Sequence, residues 1–175
     1  MTVSLDNVFV ATCLQALESL GSLVGKAEAH CASQGLEAET VTKASLAPDM
    51  WPFAKQVGQA CHHSSGAIAG VRAGVFNPDP SPAPSDFASL SAQVADAIAV
   101  MRAVSPGELD AIATRDMRFE FRDWRMDFTV ENFLLSFSLP NFFFHVTTAY
   151  AILRSLGLDV GKRDFLGAVR VKPEA

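Results

Sequence analysis

The sequence predicts an all-α fold, a four-helix bundle with a short β-hairpin inserted before the last long helix. Three observations carry that prediction. Apolar residues recur at three- and four-residue steps over three long stretches; a fourth stretch, from Asn132 to Leu156, is apolar at nearly every angular position of a helix; and between Met117 and Thr129 the period changes from helical to alternating. With 175 residues and 49% hydrophobic content, the chain can bury one substantial core, so residues 1–175 are expected to form a single domain.

The first helix is expected from Leu5 to about Ser33. Its stripe is Val8, Phe9, Cys13, Leu17, Leu20, Val24, Ala27 and Cys31, with Ser4 available as cap and Gly35 as stop. Residues 36–47 are polar enough for a connection holding one extra turn of helix. Pro48 and Pro52 bracket the start of the second helix, where Asp49 can cap and Pro52 can occupy the first turn. That helix runs through Phe53, Val57, Cys61, Ile68 and Val71, weakened in its second half by Ser64, Ser65, Gly66 and Gly70. The segment from Phe76 to Ser85 has four prolines in ten residues and reads as an extended crossover. Ser85 begins the third helix, with the stripe Phe87, Leu90, Val94, Ala97, Ile98 and Met101. Ser105 and Glu108 resemble a capping box for a short helix after it.

Two independent patterns agree on the hairpin. A turn at Arg122 and Asp123 sets Phe121 opposite Trp124, Phe119 opposite Met126 and Met117 opposite Phe128, all on one face. The same register sets Glu120 opposite Arg125 and Arg118 opposite Asp127, so the other face is paired by charge. The aromatic face should lie on the bundle, since an isolated hairpin is marginal in water.

The last helix should be capped by Thr129, carry Glu131 in its first turn and stop at Gly157. Being apolar all round, it should be buried on all sides, with a kink or break at Pro140. The run has roughly the twenty residues that a bilayer span needs, but Ser136, Ser138, Asn141, His145, Thr147 and Thr148 favour burial within a bundle over a membrane.

Net charge is −5 and the fourteen Lys and Arg residues are scattered, which argues against nucleic-acid binding. The N-terminus has no basic region followed by an apolar core and cleavage site. Cys13, Cys31 and Cys61 are odd in number and widely spaced, as for reduced thiols in a cytoplasm. No GxSxG, HExxH, P-loop or Rossmann fingerprint is present.

The stretches LPNFFFHVTTAYAILRSLGLDVGKRDFLG (139–167) and LAPDMWPFAKQV (46–57) resemble an uncharacterised bacterial domain-of-unknown-function family in the DinB/YfiT-like metalloenzyme superfamily, and the likeness covers nearly the whole chain. It implies a DinB-like bundle, a homodimer and a cytoplasmic location. Better-known relatives bind a divalent metal such as zinc or nickel through one histidine on the second helix and two, spaced by four, on a later helix. Here Ala149 stands four residues after His145 and Asn141 four before it, and the facing position on the second helix is Gln56. The paired ligand set is absent, so no resident cofactor is expected.

His145 is the residue of interest, with Asn141 and Thr148 on its side of the helix. It is either a hydrogen-bonded structural imidazole or the polar anchor of a crevice between the second and fourth helices lined by Asn141, Gln56 and Asp49, with Tyr150 as a further donor. Asp49 serves equally as a cap. His62 and His63 point roughly 100° apart on a helix and are expected to be solvated or interfacial. Three functions follow: small-molecule binding at His145; a metal-dependent thiol transferase or isomerase using His145 with His63 and a carboxylate or water; or a homodimer whose apolar helices bury an interface without chemistry.

Overall fold

The N-terminal stripe folds into one continuous rod, a π turn (Asp6–Val10) running into α1 (Ala11–Gln34). This is seen in the computed structural model, which describes residues 3–172; residues 1–2 and 173–175 of the expected domain lie outside the described residues. Ser4 Oγ accepts from the Asn7 N–H at 3.2 Å, and Gly35 ends the rod at φ 64°, a left-handed conformation that glycine adopts without steric cost. By length and composition, this helix rather than the 132–156 run is apolar enough to cross a bilayer. Its stripe, from Phe9 through Leu17, Leu20 and Val24 to Cys31, is buried against the other helices.

A single turn, α2 (Glu39–Thr42), occupies the connection. α3 (Phe53–Cys61) then begins with Pro52 as an extended N-cap, not as a first-turn residue. Asp49 is no cap: it is exposed, and the extended residues between it and Phe53 put its carboxylate too far back to reach the first free N–H groups. The weakened half of this rod is a π turn (His62–Gly66) followed by α4 (Ala67–Ala73). Ser64 and Ser65 donate back to the Ala60 and Cys61 carbonyls there and compete with the helical ladder.

The crossover differs from expectation at its start. Val75–Phe76 form β1, parallel to β2. Gly70 permits this, because a Cβ there would stand 3.1 Å from Phe76 Cβ. α5 (Phe87–Arg102) is capped by Asp86, one residue after Ser85, whose carboxylate accepts from the Ser89 N–H at 2.7 Å. In α6 (Glu108–Ile112) half of the capping box forms, with Glu108 accepting from the Ser105 N–H. The other free N–H groups, of Gly107 and Leu109, go to Asp6 at the start of the first rod.

β2 (Asp116–Phe121) and β3 (Trp124–Thr129) pair in the expected register, Phe121 to Trp124, Phe119 to Met126 and Met117 to Phe128, with sheet order β1-β2-β3. Arg118 meets Asp127 at 2.6 Å on the charged face. Arg122 takes φ 55° in the turn, where no glycine is available. The aromatic face is only partly covered. Met117 and Phe119 are buried, Phe119 against Phe76 and Phe137, while Phe121 and Trp124 at the tip stay 43% and 58% exposed.

The last rod joins α7 (Val130–Asn132), a π turn (Phe133–Ser138) and α8 (Leu139–Ser155), capped by Thr129 Oγ1 and stopped at Gly157, φ 82°. Pro140 neither breaks nor ends it. The proline falls in the first turn of α8, where the preceding π turn hands over and no N–H is required. The rod is not buried on all sides either: Phe142, Val146, Ala149 and Leu153 are buried, but Phe144 is 57% exposed because no other rod covers that face. α1 packs mainly on α5, and α3 on α8. A final short helix, α9 (Lys162–Leu166), lies across α1: Ser19 Oγ donates to the Asp164 and Phe165 carbonyls, Gln15 to Leu166 O, and Lys26 pairs with Asp164.

Candidate functional site

α3 and α8 run antiparallel, and two polar pairs join them. Gln56 Oε1 accepts from His145 Nδ1 at 2.7 Å. One level along, His63 Nδ1 meets Ser138 Oγ at 3.3 Å. The spacing is the same on both rods, seven residues from Gln56 to His63 and seven from Ser138 to His145, which is about two helical turns and so keeps each pair on one face.

The hydrogen bonds set the tautomers. Gln56 Nε2 donates to Trp51 O at 3.0 Å, which turns its amide oxygen toward His145, so Nδ1 of His145 carries the proton. Ser138 Oγ donates to the His63 carbonyl at 2.9 Å and therefore accepts from His63 Nδ1–H. Each Nε2 is left as an acceptor. Among the described residues neither Nε2 has a hydrogen-bond partner in the protein.

Aromatic rings surround the pair. His145 stacks on Trp51, 5.9 Å between centroids at 16°, and on His63, 5.8 Å at 20°, with Phe144 edge-on at 5.3 Å. Trp51 is half-exposed and lies under the Lys55 ammonium. Burial pushes the His145 pKa down to about 4. Burial, then the neighbouring imidazoles of His145 and His62, push His63 down to about 3. Both rings are neutral at pH 7, suited to accepting a hydrogen bond and too weakly basic to store a proton there.

Of the residues singled out from sequence, His145 and Gln56 are brought together. Asn141 Nδ2 and Thr148 Oγ1 instead bond back to the Phe137 and Phe144 carbonyls of their own rod, each at 2.7 Å. Tyr150 faces α9, edge-on to Phe165 at 5.6 Å. Asp49 is exposed. His62 is part-buried, its ring 5.9 Å from that of His63 and 4.4 Å from Phe76, and it donates Nε2–H to Asn77 O at 2.8 Å. His63 corrects the expectation of a solvated ring: it is 7% exposed. Sequence reasoning also missed Ser138 and Trp51. The repeated seven-residue spacing was the available signal for His63 and Ser138; Trp51, in an irregular segment, had none.

The donor set does not fit a metal held by three protein ligands. Among the described residues no three His, Cys, Asp or Glu side chains are grouped to hold an ion, and two imidazoles beside an amide and a hydroxyl fall short of the about three or four strong donors of a zinc site.

A family model described as a domain of unknown function, DUF1993, matches residues 5–166. No curated protein matches the chain. Among solved structures, the crystal structure of a DinB family member protein from Shewanella denitrificans superposes with a TM-score of 0.83 at 26% identity, covering 97% of this chain and 96% of that one.

Proposed function

This chain belongs to the DUF1993 family, a domain of unknown function, built as a DinB-like helical bundle, and on that premise we propose that it binds a small molecule where α3 meets α8. His145 is the polar anchor. The observation that carries this reading is the His145 ring itself: buried, its Nδ1–H committed to Gln56, its Nε2 an acceptor with no protein partner among the described residues. With Trp51 stacked on the ring and Phe144 edge-on to it, the ligand that suits its free acceptor is flat and donates a hydrogen bond.

The test is a fragment screen followed by the ring-nitrogen resonances of His145 in 15N-histidine-labelled protein. Planar N–H or O–H donors should shift Nε2 and quench Trp51 fluorescence. Both responses should be lost in His145→Phe, and Gln56→Leu should weaken them by freeing the tautomer. Shifts confined to other histidines would reject the site. His63 beside His145 favours a second reading, the metal-dependent thiol transferase or isomerase, although no third donor is grouped with them among the described residues. Stoichiometric zinc or nickel that disappears in a folded His145→Ala protein would put that reading first.

A further inference from the structure

The three-stranded sheet has one blunted edge and one open edge. β1 is two residues long and leads directly into Asn77, Pro78 and the rest of the proline-rich crossover, which cannot extend a ladder. β3, six residues long, has no strand on its far side among the described residues. Its outward groups are fixed by the pairing behind it. The Arg118 N–H donates to Gly74 O at 3.0 Å, away from β3, so Arg118 and Asp127 oppose each other without exchanging backbone hydrogen bonds. Alternation then turns the N–H and C=O groups of both Arg125 and Asp127 outward.

We propose that β3 pairs antiparallel with β3 of a second copy of this chain, with Met126 on the two-fold axis. Opposed residues in a sheet share a face, and a one-residue slip reverses it, so the axis must pass through a residue. Centring on Arg125 or on Asp127 would stack like charges on the axis. Centring on Met126 sets Arg125 opposite the partner's Asp127 twice over, in pairs whose backbone groups already point at each other. Across four strands the charged face then reads Glu120, Arg125, Asp127, Arg118, alternating in sign, since Glu120 already neighbours Arg125 and Arg118 neighbours Asp127. On the other face Trp124 lies opposite the partner's Phe128 and Met126 opposite its own copy. Trp124, 58% exposed in the single chain, gains an apolar neighbour. Charges on an edge strand ordinarily repel further pairing; this arrangement makes them complementary to themselves. The interface differs from the helix-face contact expected from sequence.

Sedimentation velocity over a concentration series of full-length protein tests it. The chain should dimerise. Arg125→Asp and Asp127→Arg should each weaken self-association by about tenfold or more through like charges brought opposite each other, while an equimolar mixture of the two should recover it, because each variant complements the other. Met126→Cys keeps the test decisive if a charge variant misfolds. A non-hydrogen-bonded antiparallel pair brings its Cα atoms to about 4.5 Å, within disulfide reach, and the native cysteines Cys13, Cys31 and Cys61 are buried. Mild oxidation should therefore give a covalent dimer, and Arg122→Cys should not. A monomer throughout the series, or a dimer indifferent to both charge reversals and uncrosslinked through position 126, overturns the proposal.

Discussion

Acidification should destabilise this protein well above the pH at which its carboxylates titrate. The His145 and His63 pKa values are depressed by burial, to about 4 and about 3, against about 6.5 for an exposed imidazole in the unfolded chain. Between those values the unfolded chain binds more protons than the folded one, so stability falls as pH falls. Each group contributes its stability in full above the unfolded pKa and loses it progressively toward the folded one. At about 1.4 kcal/mol per pH unit, going from pH 7 to pH 5 removes about 2 kcal/mol per imidazole and about 4 kcal/mol for the pair. His62, also lowered by burial, adds in the same direction. Against a typical total of about 5–15 kcal/mol, that is a large fraction. Urea unfolding at pH 7, 6 and 5, followed by far-ultraviolet circular dichroism, measures the loss. His145→Gln should lower stability at pH 7 and flatten the dependence by roughly half the pair's share. Stability unchanged to within about 1 kcal/mol between pH 7 and pH 5, or a slope indifferent to His145→Gln and His63→Gln, would refute the placement of these rings as buried and neutral.

Two further outcomes follow from local features. Asp86→Ala removes the cap of α5 and should cost about 1 kcal/mol in thermal or urea unfolding; Ser85→Ala, one residue earlier, should cost little, and the reverse order would misplace the cap. The Cys61 thiol is pushed up to about 12 by burial and that of Cys13 is raised still further, so native protein should leave both unmodified by a thiol-reactive dye at pH 8, and denaturant should expose all three cysteines. Fast native labelling of Cys13 would contradict its position in the core.

The hairpin register was legible because side-chain polarity and charge gave the same answer independently, and a slip of one residue would have violated both. Helix spans were legible for a similar reason: Phe9 to Cys31 and Leu90 to Met101 repeat one stripe long enough to outweigh any single residue. Asp49 was misplaced because capping depends on the conformation of the residues between cap and helix, here an extended Pro52 that composition does not encode. β1 was hidden because two residues carry no period, and its existence depends on Gly70 lying beneath Phe76. At the site, His145 and Gln56 could be matched across the bundle, whereas Asn141 and Thr148 shared the face of His145 but spend their donors on their own carbonyls. Angular position on a helix says where a side chain starts, not which of its local backbone acceptors it satisfies first.

The clasp between α9 and α1 has a bearing on how the chain comes off the ribosome. Ser19 waits for carbonyls about 145 positions further on, so the seam along α1 stays open until residues 162–167 have emerged, several seconds to tens of seconds after Ser19 at about 5–20 residues per second. During that interval α1 can already shelter its stripe against α5. Closure by residues 162–167 is therefore the last of the contacts along α1 to become available during synthesis.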